Sequence, residues 1–359
     1  MHIRVLQTLA DIEQTEVPWR GLYEQAVNRQ IFLSFDWHHC WLKTFHRYVR
    51  CLYVFCVFDD EELVALLPLY QHVREPEQLR FIGTGEPEHS EVCSEYHDVL
   101  IRTAASDLII SAISDALRQT GKALHLDNVR TDSVLRLVCQ RAFPSQLCTE
   151  RQVQTRFFLP LESDELDGTP LKKKARRFYN LVTRLGGELT ICNHADELPA
   201  YMDALILLHK KRWGKEGRST IFDDADFVSF HRSLTQTLLV SGELFLACLR
   251  IDGRPVSAFY GMAAGECVFF YQSGIDDAFS PNVSPGTVIH YFVAMEARKR
   301  GFKVYDFLGS GSTDDYKSRL TAEQEPLFSF SGYRSSLQKN RCRSYRLFYK
   351  LRDKIFPPR

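Results

Sequence analysis

Alternating and helically spaced apolar residues predict a chain that mixes α and β elements. Residues 51–58 and 63–71 form two apolar runs separated by a short acidic turn, a pattern typical of a β-hairpin. A second hairpin is predicted where an Asp-Gly dipeptide joins two further apolar runs, 243–251 and 254–263. Hairpins combined with separate helical segments favour an α+β protein.

The most informative helix is predicted between residues 285 and 300. Ser284 is a candidate N-cap, Pro285 suits the first turn, and Gly301 follows the last turn. An apolar strand precedes this helix and another, at 303–307, follows it. Because the first amides of a helix have no partner within it, a helix that starts after a strand offers a site for an anion or a carbonyl oxygen.

Two stretches of the chain share one order of elements. Residues 105–127 read as a helix, a glycine and a strand that ends in Asp127, and residues 285–306 repeat this order up to Asp306. Antiparallel hairpins precede both stretches. We interpret this as an internal duplication, with two α+β domains of similar plan. Within the first of them, a strand is predicted at 96–101.

A polar, acidic segment at 161–170 marks the predicted domain boundary. We expect an N-terminal domain at 1–160, a C-terminal domain at 161–332 and a basic amphipathic helix at 333–359. This last helix is expected either to lie on an anionic membrane surface or to dock its apolar face on the C-terminal domain. A second basic helix, 171–185, could bind a phosphate-bearing substrate or RNA, or pair with the acidic segment before it.

Composition narrows the function classes. Lys and Arg number 45 and Asp and Glu number 45, so net charge does not indicate a nucleic-acid partner. The ten cysteines have no CxxC spacing and the histidines no HExxH spacing, so no metal site is predicted. With no apolar run long enough for a bilayer and no signal peptide, we expect a cytoplasmic protein whose tail could reach the inner face of the membrane.

Three C-terminal segments form a specific combination. Residues 269–276 read FFYQSGID, Ser284-Pro285-Gly286 opens the helix, and 304–309 read VYDFLG before Asp315-Tyr316-Lys317. With pieces elsewhere in the chain, they resemble the GNAT-type acyltransferases of the CelD/BcsL group, which are relatives of the Fem-type aminoacyltransferases. The other matching pieces are Phe35-Asp36-Trp37, 67–69 (LPL), 81–83 (FIG), 96–100 (YHDVL), Arg176-Arg177 and Lys211-Arg212-Trp213.

The resemblance implies two tandem GNAT-like domains with mixed central sheets, the N-terminal one on the acceptor side and the C-terminal one on the donor side. It implies an N-acyltransferase that moves an acyl group from acyl-CoA to an amine of a small molecule, a sugar or a cell-envelope precursor. The amine would attack directly, without a covalent enzyme intermediate. Acyl-CoA would be a co-substrate, with no cofactor bound permanently. The backbone amides that hold the donor pyrophosphate in such proteins correspond here to residues 282–287.

The resemblance also suggests site residues. Asp98 and Asp306 are expected to orient or deprotonate the amine, and Lys317 to bind a donor phosphate or the oxyanion. Each also has a structural interpretation, as a strand-end carboxylate or a surface cation. The candidate catalytic residues are Asp98, Asp306, Lys317 and Tyr271; the candidate donor-binding residues are Ser284, Gly286, Thr287 and Tyr316; the candidate substrate-binding residues are Glu95 and Arg212.

Two other functions remain open at this point. The first is aminoacyl transfer from aminoacyl-tRNA, as in the Fem branch, which the glycine-poor loop before Gly286 and the basic helix at 171–185 favour. The second is a binding or scaffolding module without catalysis, in which the C-terminal helix contacts a membrane or a partner. Nucleic acid is expected as a partner only in the first of these.

Overall fold

The computed structural model describes residues 1–103, 106–162, 169–214, 218–279, 284–311 and 316–355, apart from the side chains of Lys174, Arg177 and Lys354. The chain divides into two compact units. Unit 1 comprises Met1–Val153 and Pro326–Arg359, and unit 2 comprises Gln154–Glu325. The chain therefore leaves unit 1 and later returns to it, whereas the sequence predicts consecutive domains at 1–160 and 161–332 followed by a separate segment at 333–359.

Unit 1 is built on a mixed sheet. Its strands are β1 (His2–Leu6), β2 (Val49–Asp59), β3 (Glu62–His72), β4 (Gln78–Phe81), β5 (Leu100–Ile101), β6 (Ala123–Val129), the start of β7 (Cys148–Pro160) and the end of β13 (Gln324–Gly332). The sheet order is β1-β2-β3-β4-β6-β13, and β5 pairs with β3. Pairing is antiparallel except between β4 and β6, which are parallel.

The helices of unit 1 cover this sheet. They are α1 (Leu9–Gln14), α2 (Glu16–Gln25), α3 (Phe35–Phe45), α4 (Asp107–Gln119) and α5 (Leu135–Ala142), with 3-10 turns at Ile31–Leu33, His46–Tyr48, Glu88–Ser90 and Ser145–Leu147. Ser106 caps α4 by accepting from the Ile109 amide at 3.3 Å. Ile109, Ile113 and Leu117 follow at four-residue spacing and enter one apolar core with strand residues.

Unit 2 repeats this plan. Its strands are the end of β7, β8 (Glu188–Ile191), β9 (Leu244–Ile251), β10 (Arg254–Ala264), β11 (Cys267–Ile275), β12 (Val304–Ser310) and the start of β13. The sheet order is β7-β12-β11-β10-β9-β8. Pairing is antiparallel except between β11 and β12, which are parallel.

Unit 2 has four helices and two 3-10 turns among its described residues. They are α6 (Pro170–Arg184), α7 (Leu198–Trp213), α8 (Ala225–Val240) and α9 (Pro285–Lys299), with 3-10 turns at Ile221–Asp223 and Tyr316–Arg319. In α9 the buried residues Ile289, Val293 and Ala297 recur every four residues and join a core that includes Phe245 and Phe307.

Both units therefore contain a hairpin-connected strand, a helix and a second strand parallel to the first. In unit 1 this is β4-α4-β6, and in unit 2 it is β11-α9-β12. The α+β class and the two tandem units of like plan predicted from the sequence are confirmed. One local prediction is wrong: of the strand expected at 96–101 only Leu100–Ile101 is a strand, because Tyr96 has a positive φ of 55° that interrupts extended backbone.

The C-terminal helix α10 (Ser336–Ile355) packs on unit 1. Gln338 Nε2 donates to the Gly121 carbonyl at 2.8 Å, and Asp353 pairs with Arg74 at 2.8 Å. The expectation that this helix docks on the C-terminal domain is wrong, because β13 pairs with β6 and delivers the helix to unit 1. Within the part of the chain that is described, no helix is both long and apolar enough to cross a membrane.

Candidate functional site

The sheet of unit 2 opens between its two parallel strands. β11 pairs with β12 only as far as Phe269 opposite Asp306, although both strands continue beyond these residues. On its other side β11 stays paired with β10 as far as Ile275. The edge of β11 from Gln272 to Ile275 therefore faces a gap, and no strand among the described residues pairs with it.

Tyr271 lies at the start of this gap. It is the extra residue of a β-bulge, because the residues on either side of it lie opposite two consecutive residues of β10. Its hydroxyl lies 2.9 Å from Nε2 of the buried His231, whose Nδ1 lies 3.2 Å from the Tyr260 hydroxyl. Burial lowers the pKa of His231 to about 3, so this imidazole is neutral near pH 7. The Tyr271 hydroxyl is thus held by a neutral histidine.

The first turn of α9 lies against the end of β11. A Cβ added at Gly286 would stand 2.5 Å from Cδ1 of Ile275, so a glycine permits this close approach. The first intrahelical hydrogen bond of α9 is accepted by the Ser284 carbonyl, so the amides of Gly286 and Thr287 precede the regular hydrogen bonds of the helix. The side-chain oxygens of Ser284 and Thr287 are 2.8 Å apart.

Asp306 stabilises an irregular segment of β12. It is fully buried, and its Oδ2 accepts from Nε of Arg156 at 2.6 Å. Its Oδ1 accepts from the Leu308 amide at 2.7 Å, which supports the positive φ of 63° at Leu308. Arg156 also pairs with Glu325 at 2.8 Å. These contacts place Asp306 inside the protein, as the group that holds the bulge in β12.

Lys317 and Tyr316 begin the 3-10 turn that follows β12. The Lys317 ammonium donates to the Gly309 carbonyl at 2.7 Å, which ties the turn to the end of the strand. The Tyr316 ring is partly exposed and lies 6.3 Å from the ring of His290, measured between centroids. Both predicted residues therefore lie beside α9 and the end of β12.

His290 is a site residue that sequence reasoning missed. It is buried on α9, and its Nδ1 lies 2.6 Å from the Tyr305 hydroxyl. Burial, followed by the charges of Lys317 and Arg212, lowers the pKa of His290 to about 3. Its place one turn after Gly286 is a signal that could have identified it.

Arg212 ends α7 among polar and aromatic groups. Its Nε lies 3.9 Å from Asp277, and its guanidinium lies over the ring of Trp213, 4.9 Å from the centroid. The α7 helix approaches β11 closely, since a Cβ at Gly274 would stand 2.6 Å from Cβ of Leu208. The guanidinium is partly exposed, as an anion-binding group requires.

The two predicted residues of unit 1 have different surroundings. Asp98 is buried, and its Oδ1 accepts from the Ser133 hydroxyl at 2.6 Å and from the Leu135 amide at 3.1 Å, which caps α5. Burial raises the pKa of Asp98 to about 6, against these hydrogen bonds. Glu95 is also buried. A role for either in binding or deprotonating an amine stays a prediction.

Some predicted positions lie outside the described residues. They are residues 282 and 283 of the donor loop, Asp315, and residues 163–168 of the acidic segment. Of the basic helix α6, Lys173 and Arg176 are exposed. No group of three or more His, Cys, Asp or Glu side chains among the described residues is placed to hold a metal ion.

Unit 2 thus brings together most of the predicted site. Around the opening between β11 and β12 lie amides of a helix N-terminus, a bulged strand edge, two cations and two neutral histidines that bond tyrosine hydroxyls. Such an arrangement suits an extended ligand with an anionic end, because strand edges bind amide-bearing chains and helix N-termini bind anions.

Comparisons with known proteins agree with this geometry. The family model described as an acetyltransferase (GNAT) domain matches residues 171–318. Among curated proteins, none matches this sequence. Solved structures are similar in fold. L-PGS from Bacillus licheniformis aligns with a TM-score of 0.58 at 10% identity, covering 95% of this chain and 96% of that chain.

Two further structures support the same fold. FemX aligns with a TM-score of 0.57 at 13% identity, covering 90% of this chain and 96% of its own. A conserved protein of unknown function from Bacteroides thetaiotaomicron VPI-5482 aligns with a TM-score of 0.58 at 11% identity, covering 92% and 98%. Residues 171–318 therefore match a GNAT acetyltransferase domain, and the chain as a whole shares its fold with L-PGS and FemX.

Proposed function

We propose that this protein is an N-acyltransferase that binds acyl-CoA in unit 2 and transfers its acyl group to an amine. The observation that carries this proposal is the opening between β11 and β12, which ends at the first turn of α9. Coenzyme A combines an extended arm carrying two amides with a pyrophosphate. Its shape therefore matches a strand edge followed by a helix N-terminus.

The donor would be held in two parts. The edge of β11 from Gln272 to Ile275 would exchange backbone hydrogen bonds with the amides of the extended arm. The amides of Gly286 and Thr287 would bind the pyrophosphate, aided by the helix dipole. Lys317 lies at the end of β12 and Arg212 lies 3.9 Å from Asp277, just after β11, so both add positive charge that favours an anionic donor.

The reaction proceeds by direct attack. The amine nitrogen forms a bond to the thioester carbonyl carbon, and the carbon–sulfur bond then breaks. The amine loses one proton and the departing thiolate gains one, so the products are an amide and free coenzyme A. Lys317 is the residue we assign to stabilise the developing negative charge, and Asp306 with Arg156 keeps the end of β12 in place for it.

Donor titration tests this proposal. Acetyl-CoA and longer acyl-CoA esters are titrated by calorimetry into the wild type, Lys317→Ala and Lys299→Ala. Lys299 is a matched control because it lies on α9 with 79% of its side chain exposed. We expect Lys317→Ala to weaken binding roughly tenfold, since a charge-assisted contact is lost, and Lys299→Ala to leave it unchanged. Binding of no acyl-CoA, together with wild-type turnover in Lys317→Ala, would refute the proposal.

A second candidate is aminoacyl transfer from aminoacyl-tRNA. The exposed cations of α6, Lys173 and Arg176, favour it, and the similarity to FemX points to the Fem branch. Charged tRNA would then be retained by the protein and released at raised salt, because phosphate contacts release counterions. Lys173→Glu with Arg176→Glu would abolish retention, whereas the acyl-CoA titration would show no binding in any variant.

A further inference from the structure

We propose that the outer face of α10 binds the surface of an anionic phospholipid bilayer. The outer face consists of five exposed apolar residues, Leu337, Leu347, Phe348, Leu351 and Ile355. This property is independent of donor binding in unit 2, because α10 belongs to unit 1.

α10 has two faces with different roles. The inner face carries Gln338 and Cys342, which are buried against unit 1, and Tyr349, whose ring lies 5.5 Å from the Arg74 guanidinium. These positions recur every three to four residues, as expected for one side of a helix. On the outer face, Phe348, Leu351 and Ile355 recur with the same spacing but point to solvent, and Phe348 is 60% exposed. Packing on unit 1 therefore leaves an apolar stripe uncovered.

Positive charge surrounds this stripe. The helix sequence contains seven Lys or Arg residues and a single Asp, Asp353, which is already paired with Arg74 and Arg352. Arg341 pairs with Glu77. Arg343 and Lys350 are exposed, and neither forms an ion pair or hydrogen bond with any described residue. On a helical projection these two cations lie on one side of the stripe, and Arg341 and Arg352 lie on the other.

This charge pattern favours binding of a lipid surface to the outer face of α10. An apolar stripe between two rows of cations lets Leu and Phe enter the acyl boundary while Lys and Arg stay at the headgroups. Anionic headgroups would neutralise cations that unit 1 leaves without partners. A second copy of this chain is a poorer occupant, because a two-fold interface through the stripe would bring like-charged rows together.

Vesicle binding by the full chain tests the proposal. Purified protein is floated with vesicles of phosphatidylcholine alone and with vesicles containing roughly 30% phosphatidylglycerol. We expect binding to the anionic vesicles only, with a loss of about tenfold or more at high salt because the Debye length shortens. Phe348→Glu with Leu351→Glu should abolish it. Leu207→Glu is the control, since Leu207 is exposed on α7 in unit 2.

Two further measurements separate the outcomes. Phe348→Trp should show a blue-shifted emission with anionic vesicles and none with neutral ones, because only insertion removes the indole from water. Thermal unfolding of the double variant should match the wild type, which excludes loss of the fold as the reason for lost binding. The proposal is overturned if the wild type binds neither vesicle, if the double variant binds as well as Leu207→Glu, or if light scattering shows a dimer that the double variant dissociates.

Discussion

The parallel strand pairs of the two units open onto opposite chemical surroundings. In unit 1, β4 and β6 pair through Gln78 and Leu79 and then diverge around a cavity of about 430 Å³. Four carboxylates line this cavity, with one arginine and one histidine: Glu86, Glu88, Glu91, Asp127, Arg80 and His125. In unit 2 the corresponding strand ends lie near two cations, Lys317 on the Gly309 carbonyl of β12 and Arg212 beside Asp277 after β11, and near the first turn of α9.

This difference in charge indicates that two units of the same fold can bind different ligands. In the proposed function, the cations and helix amides of unit 2 would attract a pyrophosphate, whereas the carboxylates of unit 1 would repel it. The shared topology therefore sets where a ligand could enter, and the side chains at the ends of the strands set which ligand is bound. Three predictions test this contrast, starting with Asp127 in β6 and Asp306 in β12.

The largest expected change in the free energy of unfolding concerns Asp306 and Asp127. Asp306 is fully buried against Arg156, so Asp306→Asn leaves that guanidinium with Glu325 as its remaining carboxylate and should cost about 3 kcal/mol. Asp127 is the aspartate of unit 1 that the repeated sequence pattern matches to Asp306, but its side chain is 46% exposed and lies 3.2 Å from His125. Asp127→Asn should cost less than about 1 kcal/mol.

Buried free thiols report on each unit separately. Cys56 and Cys139 lie in unit 1 and Cys248 lies in unit 2. Thiol labelling in urea, read by peptide mass spectrometry, therefore gives a midpoint of unfolding for each unit. Asp306→Asn should lower the urea midpoint measured at Cys248, and Asp127→Asn should not appreciably shift the midpoint measured at any of the three cysteines. Equal losses in both variants would mean that the two aspartates have the same structural role.

Hydrophobic periodicity was sufficient to predict most of the fold. The hairpins, the helix ended by Gly301 and the duplication around Asp127 and Asp306 all follow from local spacing and turn residues. The return of the chain to unit 1 through β13 was not predictable, because strand pairing between distant segments depends on tertiary packing. For the same reason the sequence predicted the wrong packing surface for α10.

The site was predictable in part. Gly286, Tyr316 and Lys317 were identified from motifs, and all three lie in unit 2: Gly286 against Ile275, Tyr316 near the His290 ring and Lys317 on the Gly309 carbonyl. The spacing of His290 one turn after Gly286 marked it only as a candidate, since a lone histidine on a helix is ambiguous until its burial and its bond to Tyr305 are known. The partner of Asp306 was equally hidden, because Arg156 precedes it by 150 residues.

Acid should affect the two units differently. Each unit has three histidines whose pKa burial lowers to about 3 or 4: His38, His72 and His97 in unit 1, and His209, His231 and His290 in unit 2. Their unfolded forms titrate near 6.5, so the unfolded state binds more protons below that pH. Their contribution to stability is present above pH 6.5 and is lost progressively as the pH falls toward 3.

Unit 1 contains carboxyl groups that oppose this loss. Burial raises the pKa of Glu86 to about 7 and that of Asp98 to about 6. Such groups contribute stability that is complete below their unfolded pKa and is lost as the pH rises through the folded value. Between pH 7 and pH 5 the free energy of unfolding should therefore fall by about 2 kcal/mol more in unit 2 than in unit 1. The prediction is contradicted if, over this pH range, the urea midpoint measured at Cys248 in unit 2 falls no faster than the midpoint measured at Cys56 in unit 1.

The smallest expected effect concerns the glycines at the two openings. Gly286→Ala places a methyl group against Ile275 and moves the first turn of α9 away from β11, so acyl-CoA affinity should fall about tenfold. Gly311→Ala is the control in unit 2, because no described atom beyond its chain neighbours lies within 4 Å of its added Cβ. Gly85→Ala in unit 1 would meet Arg80 and Tyr70 at a φ of 102° and should destabilise that unit while leaving acyl-CoA affinity unchanged. Calorimetric titration of the three variants decides the matter: if Gly85→Ala weakens donor binding as much as Gly286→Ala does, the donor is not confined to unit 2.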